Sequence, residues 1–146
     1  MTKDELIALA KNIATAHQLF PEVICGICER ESSWDPWSIR YEPVFEVRYL
    51  EPLVHAGQLT NVTEIKSRAI SWGLMQTIGQ SIRELGYTGK LAMLCDPPTG
   101  IEWGCRLFTT KLGHAGEDYA KALLLWNGGG NPAYPGDVLA MAAKYK

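Results

Sequence analysis

Apolar residues in the first twenty positions recur at helical spacing. Leu6, Leu9, Ile13 and Ala14 form one stripe, and Thr2 with Glu5 three residues on has the pattern of a capping box. Pro21 suits the first position of a second helix, which carries Val23, Ile24, Ile27 and Cys28 on its apolar side and runs to about Glu31. Ser32 to Pro36 breaks that helix. The stretch from Trp37 to about Leu59 mixes aromatics, charges and prolines, and predicts an irregular segment followed by a short helix over about Phe45 to His55. Asn61 or Thr63 can cap a further short helix carrying Ile65. Ser71 to Gln76 reads as a turn into a helix that ends near Leu85, with Gly86 as its C-cap.

Three more helices follow. Pro97 opens a long one through Ile101, Trp103, Leu107 and Leu112. Asp118 starts one with Tyr119, Ala122, Leu123 and Trp126, stopped by Gly128-Gly129-Gly130, and Pro135 begins the last, with Val138, Leu139 and Ala142. No linker, repeat or low-complexity segment interrupts the series. The expectation is one compact domain over residues 1–146, all-α or α-dominated α+β.

Composition narrows the function. Of 146 residues, 47% are hydrophobic, enough for a real core, and the 21% that are charged do not mark a disordered chain. A net charge of -2 argues against nucleic acid as the main partner, because a phosphate binder normally shows a basic surplus. Asp4 and Glu5 stand where a signal peptide would be basic, and no apolar run approaches the ~20 residues of a membrane span. No leader is therefore expected in this stretch of chain, which would reach its place of action by release from the cytoplasm, by a route the sequence does not encode, or as a piece of a longer protein.

The Cys25–Cys28 pair has C-x-x-C spacing but lies inside an apolar helical pattern. Cys95 and Cys105 supply no second such pair, so buried free thiols are the preferred reading and a disulfide stays open. His17, His55 and His114 are scattered, so neither a metal site nor a cofactor is expected.

Three islands carry candidate chemistry. In ICERESSW, Glu31 ends an apolar helix beside Ser32 and Trp34. A carboxyl held against such groups loses solvation and its pKa rises, as a general acid at a glycosidic bond requires. In SRAISWGLMQ, Gly73 allows close backbone approach, and Gln76 can donate and accept hydrogen bonds to a sugar amide. In LLLWNGGGNPAY, Trp126 offers a flat face to a sugar ring and Asn127 can read hydroxyl or acetamido groups. Each island alone also fits a plain role: a surface glutamate, a turn into a helix, a helix end with a core tryptophan.

Taken in order, ES, GLMQ and an aromatic-Asn-x-Gly motif resemble the catalytic domain of the soluble lytic transglycosylases and their relatives, the goose-type lysozymes. The resemblance runs roughly from Ile24 to Tyr134. Ile101 and Gly104 in DPPTGIEWGCRLF also resemble the family's segment before its third motif. The resemblance implies a lysozyme-like fold and cleavage of peptidoglycan glycan strands between N-acetylmuramic acid and N-acetylglucosamine. It implies Glu31 as the catalytic acid, and Ser67, six residues before Gly73, as a substrate-binding serine. Met75 and Gln76 would lie closest to sugar, and Asn127 matches the motif asparagine.

Two features depart from the family pattern. Trp126 stands where tyrosine is usual, and an indole N–H only donates. A long insertion separates Glu31 from Gly73, and Tyr41, Glu42 and Tyr49 from it are candidates for a cleft wall.

Inverting hydrolysis needs a second carboxylate about 6.5–9.5 Å from the acid. Goose-type lysozymes place acids just before and after GLMQ. Here Ser71, Trp72, Thr77 and Ile78 occupy those places. The resemblance therefore favours lytic transglycosylation by one glutamate, giving 1,6-anhydro products. Hydrolysis stays open through Glu42, Glu46, Glu51 or Glu64, as does a non-catalytic, glycan-holding or structural module on the same fold. A monomer acting on the cell wall, of phage or bacterial origin, is the accompanying expectation.

Overall fold

Six consecutive residues, Val23 to Cys28, are buried, so their helix has no solvent face along its middle and other helices must surround it. A computed structural model describes residues 1–146 and shows this arrangement. Helix α1 (Lys3–Ala16) starts at the expected capping box, with the Thr2 N–H on Glu5 Oε2 at 2.6 Å and the Glu5 N–H on Thr2 Oγ1 at 3.2 Å. Central helix α2 (Pro21–Ser32) has Pro at its first turn and ends at Ser33 in the left-handed conformation. The long α7 (Pro97–His114), α8 (Tyr119–Trp126) and α9 (Tyr134–Ala142) complete a cage around α2. Asp96 and Asp118 cap α7 and α8 by accepting from the Thr99 and Lys121 N–H groups. One apolar cluster joins Ala10 and Ala14 of α1 to Ile24 and Ile27 of α2, Phe108 of α7, Leu123 of α8 and Val138 of α9.

Gly26 permits the closest of these contacts. A Cβ built there would lie 2.7 Å from the carbonyl oxygen of Val138, a backbone atom that no rotamer change can move. Gly26→Ala is therefore expected to cost about 1–3 kcal/mol by overpacking. Calorimetry should show a Tm lower by several degrees, and an unchanged Tm would contradict the contact.

The segment between α2 and the GLMQ turn is more ordered than its composition predicts. It forms strand β1 (Ile39–Tyr41), then α3 (Pro43–Phe45), one turn of π-helix over Glu46–Leu50, α4 (Glu51–His55) and α5 (Val62–Arg68). Asn61 caps α5, accepting from the Glu64 N–H at 2.9 Å. Leu50, Leu59 and Ala69 bury a small core of their own beneath Phe45, Leu53, Val54 and Ile65.

The stretch expected to turn straight into a helix instead makes a hairpin of β2 (Ile70–Trp72) and β3 (Thr77–Ile78), with α6 (Gly79–Glu84) starting only afterwards. The strands form an antiparallel sheet in the order β1-β2-β3, pairing Arg40 with Ser71 and Ser71 with Ile78. The fold is thus α-dominated with a small sheet. Strands of three and two residues are too short to leave a period-two signal in the sequence. A short 3-10 turn, Leu91–Cys95, leads into α7. No helix is long and apolar enough to cross a membrane.

All four cysteines are buried free thiols. Burial pushes Cys25 up to about 11 and Cys105 up to about 12, so both stay protonated and pack as small apolar groups.

Candidate functional site

The last turn of α2 delivers Glu31 to one wall of a cleft of about 430 Å³. Asn127, Trp126 and Gly128, where α8 ends, continue that wall. The insertion supplies the facing wall through Arg40, Glu42, Phe45 and Tyr49. Ser71, Gln76 and Thr77 from the hairpin lie between them, and Leu107 and Lys111 of α7 close one side.

Glu31 is half-buried, and its Oε1 accepts a hydrogen bond from the Tyr134 hydroxyl at 2.5 Å. Such a bond strengthens when the acceptor oxygen becomes charged. Tyr134 opens α9 and is only 2% exposed, so its ring is fixed by packing and the hydroxyl is aimed. Burial raises the Glu31 pKa above the ordinary carboxylate value. The Tyr134 hydrogen bond and the Arg30 and Arg40 charges pull it down, while the Glu42 charge adds to the rise. The outcome is a carboxyl that holds its proton longer than a surface glutamate and has a donor in place to stabilise the anion once the proton has gone.

Ser32 ties this carboxyl to the GLMQ turn. Its hydroxyl meets both the Cys28 and the Leu74 carbonyl oxygens at 2.9 Å, which docks the turn against the end of α2. Gly73 sits at φ +69, and a Cβ there would fall 2.3 Å from the Leu94 carbonyl oxygen, so only glycine fits. Gln76 also has positive φ, at 49°, and its Nε2 donates to the Ser38 and Gly73 carbonyls at 2.9 and 3.0 Å. With both amide protons used, Gln76 can offer a ligand only its amide oxygen, not the donor and acceptor expected from its residue type.

Other expected site residues are placed differently. Met75 is 1% exposed, and its Sδ would lie 2.3 Å from a Cβ on Gly104, so Met75 is a core residue seated on that glycine. Ser67 lies on α5 outside the cleft, where its carbonyl oxygen accepts from the Trp72 indole at 2.9 Å. The six-residue spacing carried over from the family falls here on an extra helix, and the serines that line the cleft are Ser71, 6% exposed, and Ser81. Tyr41 points away from the cleft, donating to Glu46 at 2.5 Å, with Lys66 beside it. Side chains alternate along a strand, so Arg40 facing the cleft turns Tyr41 outward, and Glu42 just beyond the strand faces in again. Glu42 Oε1 accepts from Arg40 Nε at 2.7 Å and from the Ser71 hydroxyl at 3.3 Å. Trp126 meets Phe108 edge-on with centroids 5.8 Å apart, which anchors the indole at the cleft.

Sequence reasoning missed Tyr134, Arg40, Ser71 and Lys111. Tyr134 had one signal: the departure of Trp126 from the family's tyrosine left a hydroxyl to be found, and the next tyrosine along is Tyr134.

Thr77 Oγ1 is a buried side-chain oxygen with no hydrogen-bond partner. Leaving such a group unpaired costs about 1–3 kcal/mol. Thr77→Val is therefore expected to raise Tm, and a lowered Tm would show that the hydroxyl has a partner.

A second open concavity, of about 460 Å³, includes Arg68, Arg83 and Tyr87. Arg83 is held by Glu64 at 2.6 Å and by the Tyr87 and Gly89 carbonyls, and Arg68 by Glu64 at 2.8 Å, so its cations are already engaged. No group of three or more His, Cys, Asp or Glu side chains suited to a metal ion forms.

A helical cage thus presents two half-buried acids, Glu31 and Glu42, a buried tyrosine donor and Trp126 along an open cleft, an arrangement that fits a lysozyme-like domain. A family model described as the Transglycosylase SLT domain matches residues 8–134, and the chain belongs to that family. Its members are lytic transglycosylases acting on peptidoglycan. No curated protein and no solved structure matches the chain.

Proposed function

We propose that this chain cleaves the β-1,4 bond between N-acetylmuramic acid and N-acetylglucosamine as a lytic transglycosylase, with Glu31 as acid and then base. The observation that carries this reading is the Glu31–Tyr134 pair: a half-buried carboxyl of raised pKa, in a cleft, on a fixed hydroxyl donor.

Protonated Glu31 gives its proton to the glycosidic oxygen as the C1–O bond breaks, and the N-acetylglucosamine-bearing portion leaves as an alcohol. The muramyl acetamido oxygen shares the positive charge left at C1. Glu31, now a carboxylate steadied by Tyr134, takes the proton from the muramyl 6-hydroxyl as O6 closes onto C1. The carboxyl is thereby reprotonated and a 1,6-anhydro end is formed. Gln76 and Asn127 contact polar sugar groups, and Trp126 packs on a ring face. The domain acts as a monomer on the wall, outside the cytoplasmic membrane, as a phage lysin or a wall-remodelling enzyme.

Glu42 favours a second reading. Its carboxylate shares the cleft with Glu31 and is oriented by Arg40 and Ser71, as a base that activates water for inverting hydrolysis would be. Mass spectrometry of the soluble products separates the two, because hydrolysis adds one water to each new end. Anhydro ends, still formed by Glu42→Gln, are expected. Reducing ends that vanish in Glu42→Gln would make the enzyme a hydrolase. Wall binding with no release of glycan would make it a binding module.

A further inference from the structure

The cleft does not stop at Tyr49. A second groove, of about 330 Å³, shares Phe45, Tyr49 and Ser81 with it and continues past them along Leu53, Gln80 and Glu84. Its two sides differ in chemistry. Phe45, Tyr49 and Leu53 come from the insertion and are apolar, whereas Gln80, Ser81 and Glu84 come from α6 and are polar. A pyranose ring has the matching pair of surfaces: apolar C–H faces and a rim of hydroxyl groups.

The polar side is already ordered. Gln80 Nε2 donates to Glu84 Oε1 at 3.0 Å, and Gln80 Oε1 accepts from Arg68 at 3.2 Å. The apolar side is built by the π-helical turn, where the Glu51 N–H reaches back to the Glu46 carbonyl and Pro52 has no N–H to restore the α-helical bond. That turn holds the Tyr49 ring 4.8 Å from the Phe45 ring and 5.2 Å from the Arg48 guanidinium, yet leaves Tyr49 50% exposed. Single π-helical turns are uncommon and concentrate at functional sites.

We propose that this groove is a distal saccharide subsite, holding a sugar of the same glycan strand beyond the pair being cut. The proposal rests on the reading of the cleft as a glycan site. The strand would run from Asn127 past Glu31 and Gln76 to Tyr49, and on between Leu53 and Glu84. The insertion thereby sets a preference for longer strands.

The test is a binding titration of the catalytically disabled Glu31→Gln protein with stem-free N-acetylglucosamine–N-acetylmuramic acid oligomers, from disaccharide to decasaccharide. Affinity is expected to rise again, about tenfold, once the oligomer outgrows the catalytic cleft. Adding Glu84→Ala, at an exposed position that lines the distal groove and lies outside the catalytic cleft, should remove that last gain, and Tyr49→Ala, on the opposite side of the groove, gives a second check. Affinity that levels off when the cleft is filled, or a gain that survives both substitutions, overturns the proposal and leaves the groove a packing seam. The titration does not depend on chemistry. A failure of Glu31 as the acid would show in product release and leave the length dependence readable.

Discussion

Glu31→Gln is expected to abolish release of soluble glycan from purified walls while making the protein more stable at neutral pH. One positioned general acid contributes about 10²–10⁴-fold, and here the same carboxyl must also accept the 6-hydroxyl proton, so the loss falls at or beyond the upper end. Glutamine keeps the shape and still offers an oxygen to the Tyr134 hydroxyl, so the fold has no reason to fail.

The stability change follows from the direction of the pKa shift. Burial holds the native Glu31 pKa above its unfolded value, so between the two values the native state binds more protons than the unfolded one. Stability is fully present below the unfolded value, near 4.3 for a free glutamate, and is lost as pH rises through the raised native one. At neutral pH the buried charge is a burden that glutamine removes. The variant's Tm should therefore exceed wild type by about 2–4 °C for each kcal/mol relieved, and the gain should fade toward pH 4. Residual wall clearing near the wild-type rate would remove Glu31 from the mechanism. A Tm advantage that grows on acidification would contradict the raised pKa.

Tyr134→Phe is expected to slow the reaction by about 10–100-fold. A hydrogen bond to a charged group is worth about 1.5–3 kcal/mol, and every 1.36 kcal/mol is tenfold in rate. The hydroxyl matters most after Glu31 has given up its proton, when the carboxylate stands in a cleft that solvates it poorly. The pH profile separates this role from simple packing. The Tyr134 hydrogen bond lowers the Glu31 pKa, so its removal lets burial raise that pKa further. The alkaline limb of kcat against pH should then move to higher pH. The ring remains, so its packing in the core persists. A profile that keeps its position, with kcat unchanged, would reduce Tyr134 to a core residue.

The insertion is where sequence reasoning gave least. It offered aromatics, acids and prolines without a period, from which two short helices, over about Phe45 to His55 and around Ile65, and a cleft wall of Tyr41, Glu42 and Tyr49 could be drawn. Glu42 and Tyr49 do line the cleft, but Tyr41 does not, because a strand forms at Ile39–Tyr41 and alternation decides which residues face in. That strand exists only because β2 lies beside it, and pairing of this kind leaves no mark in a three-residue segment.

Local chemistry was legible wherever a residue acts on its near neighbours along the chain. Thr2, Asn61 and Asp118 cap helices through atoms three positions away, Pro21, Pro97 and Pro135 open helices because they have no N–H to lose, and the glycines after Asn127 end one. Glu31 and Gln76 could be singled out for a similar reason: their residue types and the motifs around them narrow what they can do. Contacts between distant parts of the chain had to wait for the tertiary structure. Tyr134 reaches Glu31 across 103 positions, Met75 rests on Gly104, and Ser71 rather than Ser67 faces the cleft. Each depends on how helices and strands pack in three dimensions, and that packing is fixed by the shape of the whole core rather than by any stretch of sequence.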